Sequence, residues 1–96
     1  MQIAKVVGTT VATIKDEKLV GRKLMVCRPT DEKGQASGKP YVAIDSVEAG
    51  VGDLVLTAAG SSARQTSITK DTPVDTVIMA IIDTLEVGGQ ITFQKS

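Results

Sequence analysis

The feature that most constrains this chain is that its apolar residues come in short runs, rich in valine, isoleucine and threonine, each stopped by glycine, proline or a charged stretch. β-Branched side chains fit a pleated, half-buried surface, so runs of this length read as strands. Residues 2–14, QIAKVVGTTVATI, predict a long first strand with Gly8 as a bulge or bend. Residues 23–28, KLMVCR, predict a second, ended by Pro29, which has no N–H to give a ladder. Residues 41–45, YVAID, predict a third, and a fourth follows at Leu54 in the run LVLTAA. Residues 74–87, VDTVIMAIIDTLEV, have the length of a helix or a strand. Their Val, Ile and Thr content and the Gly88-Gly89 turn predict strand plus hairpin. Residues 90–95, QITFQK, alternate cleanly and are expected to close the sheet.

The connections carry their own signals. Residues 15–22, KDEKLVGR, form a charged loop with Leu19 and Val20 as an apolar plug. Residues 31–38, DEKGQASG, predict a polar turn of hairpin character and the most mobile segment of the chain. Residues 48–53, EAGVGD, predict a tight turn whose two glycines allow positive φ. Together these elements describe an all-β fold: a small closed or partly open β-barrel, nearest to the five-stranded oligonucleotide-binding type, with an extra hairpin and one short helical turn. Residues 1–96 make a single domain.

That helical turn is expected at a corner, GSSARQ, between the fourth run and the polar connection TSITKDT. Gly60 permits the sharp bend, Ser61 or Ser62 can cap one turn by accepting its free N–H groups, and Arg64 then projects from it. Plain structural punctuation is one reading. A second makes the free N–H groups and Arg64 an anion site, although the glycine content is too low for a phosphate loop and no lysine follows. A third makes Ser61 or Ser62 a nucleophile, which needs a base, and the chain has no histidine.

Composition narrows the function. Tyr41 and Phe93 are the only large aromatics, so burial per residue is low and oligomerisation is a natural source of more. Eleven basic and eleven acidic residues cancel, leaving no net field towards nucleic acid or an anionic membrane. The halves differ: residues 1–40 carry eight basic and four acidic side chains, residues 41–96 three and seven. Opposite patches of this kind can meet on neighbouring subunits of a head-to-tail ring, or simply mix within one barrel. The single Cys27 lies in an apolar run and suits a buried thiol in a reducing compartment. No signal-peptide pattern and no run near the ~20 apolar residues of a membrane span is present, so a cytosolic chain is expected. With no histidine and one cysteine, no zinc, haem or iron–sulfur site, and no cofactor, is expected within one subunit.

One local echo could carry chemistry. IDSVE from Ile44 is answered by IDTLE from Ile82, each before a glycine turn, and Asp45 and Asp83 are candidates for an acid/base pair. The competing reading has each aspartate accept backbone N–H bonds in the turn that follows. A nucleic-acid-binding barrel is a further alternative, since this architecture commonly presents a basic groove with aromatic platforms. Two aromatics and zero net charge argue against it.

As a set, MQIAKVVGTTVAT, LVGRKLMV, VAIDSVEAGVGDLVL, GSSARQ, PVD and AIIDTLEVGG span nearly the whole chain. In that order and spacing they resemble the bacterial microcompartment vertex family, the EutN/CcmL group of small shell proteins. The chain departs from the family at Glu48, where a glycine is common, and this bears on the shape of that turn. The resemblance implies a structural, non-enzymatic protein of the cytoplasm. It would form a homopentameric ring at shell corners beside hexameric shell proteins, without cofactor, nucleic acid or membrane. It also places Gly60, Ser61, Ser62, Ala63, Arg64 and Gln65 near subunit contacts and a small central opening.

Overall fold

Small side chains at every second position set the scale of the interior. A computed structural model of the chain describes residues 1–11, 21–60 and 76–95. Seven strands run in order: β1 (Gln2–Thr9), β2 (Leu24–Pro29), β3 (Tyr41–Asp45), β4 (Leu54–Ala59), β5 (Thr76–Ile81), β6 (Thr84–Val87) and β7 (Gln90–Gln94). The first five close into a barrel in the order β1-β2-β3-β5-β4, while β6 and β7 form a separate two-stranded sheet. Ala4, Val6, Met25, Cys27, Ala43, Val55 and Ile78 fill the barrel. A five-stranded barrel has a narrow lumen, and Ala, Val and Cys fit where large aromatics would not. The scarcity of aromatics thus has a geometric reason.

The walls are antiparallel except at one seam. β3 and β5 pair in parallel through Ile44↔Val77 and Asp45↔Ile78, and β1 pairs with β4 from Gln2↔Thr57 to Lys5↔Leu54. These two pairings, not the last strand, close the barrel. β7 was expected to do so, but each barrel strand already has two neighbours, and β7 pairs with β6 alone. Ile44, Val77 and Ala58 form a second buried cluster with Leu24 and Met79. Ladder partners Leu24↔Ile44, Ile44↔Val77 and Val77↔Ala58 line these residues up across four strands on the outer side. Hence Ala43, Ile44 and Asp45 are buried in succession, with cover on both faces of the sheet.

The expected strands hold, the first of them shorter. It stops at Thr9, with the anticipated bulge between Val6 and Gly8; residues 12–14 lie outside the described residues. The run 74–87, expected as strand plus hairpin, supplies β5 and then the first strand of the hairpin, β6. The Ile82 N–H ends β5 by donating to the Leu54 carbonyl at 2.8 Å, and the chain then leaves the barrel at exposed Asp83. Gly88 and Gly89, with φ of 59° and 81°, turn β6 into β7 in the left-handed pair that a two-residue hairpin requires.

This hairpin is an arm anchored at its base. Phe93 lies over Gly34, where an added Cβ would stand 3.0 Å from its ring and 3.5 Å from Leu54 of β4. The Thr92 hydroxyl donates to the Glu32 carbonyl, the Lys95 N–H donates to the Asp83 carbonyl at 2.7 Å, and the Lys95 ammonium lies 3.9 Å from Asp53. The loop 31–38, expected to be the most mobile segment, is instead bonded throughout. Asp31 Oδ1 accepts the Lys33 and Gln35 N–H groups at 2.8 and 3.0 Å, Ser37 N–H donates to the Pro29 carbonyl, and Thr30 bridges to Ala36. Those two N–H bonds hold the Asp31 carboxyl below its usual range.

Candidate functional site

The foot of the barrel, where β4 ends, is the corner singled out by the sequence. Gly60 has φ of 65°, the left-handed conformation that lets the chain bend sharply after Ala59. Ser61, Ser62, Ala63, Arg64 and Gln65 lie outside the described residues, and with them the expected helical turn, the anion site and the serine nucleophile. So does the plug of Leu19 and Val20. Beside Gly60 opens a cleft of about 460 Å³ lined by Met1, Gln2, Tyr41, Thr57, Ala59 and Thr76. The Tyr41 and Thr57 hydroxyls share a hydrogen bond of 2.8 Å there. Burial raises the Tyr41 phenol above its ordinary value, against the Thr57 bond, which lowers it. Among the described residues of the lining, that phenol is the only ionisable side chain.

The opposite end of the barrel holds the charged residues. Arg22, Lys23, Asp45, Ser46 and Glu48 line a second cleft of about 330 Å³. Asp45 is buried at the end of β3, and its Oδ1 accepts the Val47 N–H at 2.9 Å. Its Oδ2 has no hydrogen-bond donor among the described residues and faces the Lys23 ammonium at 3.6 Å. Lys23 also donates to the Ala49 carbonyl at 3.0 Å, which fixes the cation above the carboxylate.

That geometry overturns the acid/base pair. Asp45 is opposite Ile78 in the ladder, whereas Asp83 follows five residues later, on the order of 15 Å further along an extended chain. Asp45 behaves as the competing reading expected, accepting a backbone N–H in its own turn. Among the described residues, no three His, Cys, Asp or Glu side chains stand together as a metal would need, and no helix is long and apolar enough to cross a membrane. Cys27 is buried in the lumen, where desolvation first and the Asp45 carboxylate second push its thiol up to about 11. A neutral thiol at that pKa is neither a nucleophile nor a ligand at neutral pH.

The aromatics are committed as well, Tyr41 to Thr57 at the foot and Phe93 to Gly34 and Leu54 at the arm. The arm is the extra hairpin expected from the sequence, and what sequence reasoning missed is its place. Its strands were legible, but nothing in their alternation said that they stand off the barrel, with Val87 and Ile91 exposed near the tip.

Among the described residues, a closed five-stranded barrel filled mostly by small side chains, with a separate two-stranded arm, defines a small all-β barrel protein. The comparisons give that class a family. Residues 1–83 match the family described as "Ethanolamine utilisation protein EutN/carboxysome". The chain is 46% identical to the carboxysome shell vertex protein CcmL of Nostoc sp. over 96 residues, covering 99% of this chain and 95% of that one. Its fold superposes on the structure of Gloeobacter violaceus CcmL with a TM-score of 0.92, at 40% identity over 99% of this chain and 98% of the other. The pentameric microcompartment shell protein GrpN of Rhodospirillum rubrum is similar at a TM-score of 0.81 and 40% identity, covering 91% and 99%. The chain belongs to the EutN/CcmL family.

Proposed function

We propose that this chain is a structural vertex protein of a bacterial microcompartment shell, built as a homopentameric ring from one domain over residues 1–96. The observation that carries the reading is the likeness along the whole chain to proteins named for that role, one of them described as pentameric. The ring works in the cytoplasm, within the shell, against hexameric shell proteins. It holds no cofactor, catalyses no reaction and binds no nucleic acid or membrane. The physical logic is one of shape. A layer tiled by six-fold units is flat, and closing it into a polyhedron requires points where five units meet in place of six. The contacts with neighbouring tiles come from rim loops, with residues 15–22 and 31–38 as the candidates.

In the ring, Gly60, Ser61, Ser62, Ala63, Arg64 and Gln65 lie near the subunit contacts and the central opening, with Arg64 in polar contact there. Support comes from the left-handed Gly60 at the foot of the barrel and from the suitability of an arginine for polar contacts between chains. Arg64→Ala then weakens assembly more than it lowers the melting temperature; early melting with full assembly would make Arg64 an intrachain strut. The functional test is removal of the protein from its host. Electron microscopy should show open, elongated or leaky shells around enzymes that remain active. Closed shells of normal outline, with no other vertex protein present, would contradict the reading.

A further inference from the structure

The charged end of the barrel holds a buried carboxylate that lacks a donor. The Asp45 side chain is only 1% exposed, and its Oδ1 accepts the Val47 N–H at 2.9 Å. Its Oδ2 has no hydrogen-bond partner among the described residues, and the Lys23 ammonium, at 3.6 Å, is too distant to donate to it. That ammonium donates instead to the Ala49 carbonyl at 3.0 Å. Lys23 therefore balances the charge of Asp45 without satisfying its acceptor, and a buried acceptor in this state is destabilising until a donor reaches it.

Asp45 borders the cleft of about 330 Å³ that Arg22, Lys23, Ser46 and Glu48 also line. Arg22 and Glu48 are exposed, and the Lys23 side chain is 53% exposed. Glu48 holds φ of 58°, a conformation that glycine takes freely and glutamate does not, and this strained backbone keeps a second carboxylate at the cleft. Two cations and two carboxylates thus share one cleft and cancel in net charge. A simple cation would meet Arg22 and Lys23 there, and a simple anion would meet Asp45 and Glu48. A molecule with one charge of each sign finds a partner for both. We propose that this cleft binds a small zwitterion of the amino-acid class, its ammonium donating to Asp45 Oδ2 and the Glu48 carboxylate, its carboxylate accepting from Arg22 and Lys23. Lys23, on a flexible and half-exposed stem, turns its ammonium from Asp45 to the ligand carboxylate, and the ligand's own ammonium takes its place over Oδ2. The planar Arg22 guanidinium suits a carboxylate through two parallel N–H bonds. The site is built from one subunit, so it goes beyond the shell reading and does not require the ring.

The test is a titration of the full chain with glycine at neutral pH and constant ionic strength, followed by calorimetry and by the amide resonances of Asp45, Val47 and Glu48. Saturable binding with a Kd on the order of 1 mM is expected, with shifts centred on those amides. Acetate and methylammonium, each carrying half of the ligand, should bind about tenfold more weakly or worse. Arg22→Ala and Glu48→Gln, both at exposed positions, should each weaken glycine binding by about fivefold or more while the melting temperature stays close to wild type. Shifts that grow linearly without saturation, or acetate or methylammonium binding as tightly as glycine, would mark ions attracted by surface charge alone and overturn the proposal. Glycine binding of unchanged affinity in both variants would overturn it too, by placing the ligand elsewhere. Native mass spectrometry of the same samples reads the oligomer separately, so failure of the site and failure of the ring are told apart.

Discussion

Glu48 adopts φ of 58°, the only left-handed non-glycine backbone among the described residues. An L-residue with a side chain pays roughly 1–2 kcal/mol there, part of which a glycine returns as lost chain entropy. Glu48→Gly should therefore raise stability by ~0.5–1 kcal/mol in denaturant melts; a loss of stability would mean that the glutamate side chain contributes to the charged cleft. The departure from the family's common glycine was legible in the sequence, and so was the need for positive φ in that turn. Which residue would carry it was not, because residues 48–53 offer two glycines, and the structure uses Gly52 together with Glu48. Cys27 supplies a pH prediction. Its folded pKa is raised, so the folded thiol stays protonated while the unfolded one ionises. The unfolded state then binds fewer protons, and stability falls as pH rises from the ordinary thiol range to about 11. Cys27→Ala should lose less stability over that window, with the raised Tyr41 phenol contributing the remainder at the alkaline end.

Among the elements, the arm and the loop 31–38 support each other. Phe93 packs on Gly34 and Leu54, and Gly34 at φ of 81° has both the backbone and the absence of a side chain that this contact demands. Phe93→Ala should cost roughly 1–2 kcal/mol, less than the 3–5 kcal/mol of a fully buried phenylalanine because this ring is only partly covered. Hydrogen exchange should show protection lost from the amides of β6, β7 and the loop while the barrel amides keep theirs. Uniform loss would make the arm part of the barrel's folding unit. The strands themselves were readable because β-branched runs, Pro29 and the Gly88-Gly89 pair are local signals. The order of the strands, the parallel β3–β5 seam and the anchoring of DEKGQASG depend on residues distant in sequence, such as Phe93 over Gly34, and no local pattern encodes them. The Asp45 and Asp83 echo shows the converse: a real local similarity that the topology places at different points along the barrel.

For the whole molecule, the low aromatic content, the balanced charge and the exposed arm share one explanation. A narrow barrel is filled by small side chains, and assembly supplies burial that the subunit lacks. The candidate corner was visible as a glycine-led interruption at Gly60, but its position in a ring belongs to contacts between chains, which no feature of a single chain displays. The central claim is a ring of five, from which the role of closing a shell follows. Native mass spectrometry at micromolar concentration tests it most directly. The expected result is one dominant species with five times the 10.0 kDa mass of the subunit; a monomer, a two-fold dimer or a hexamer as the dominant species would contradict it.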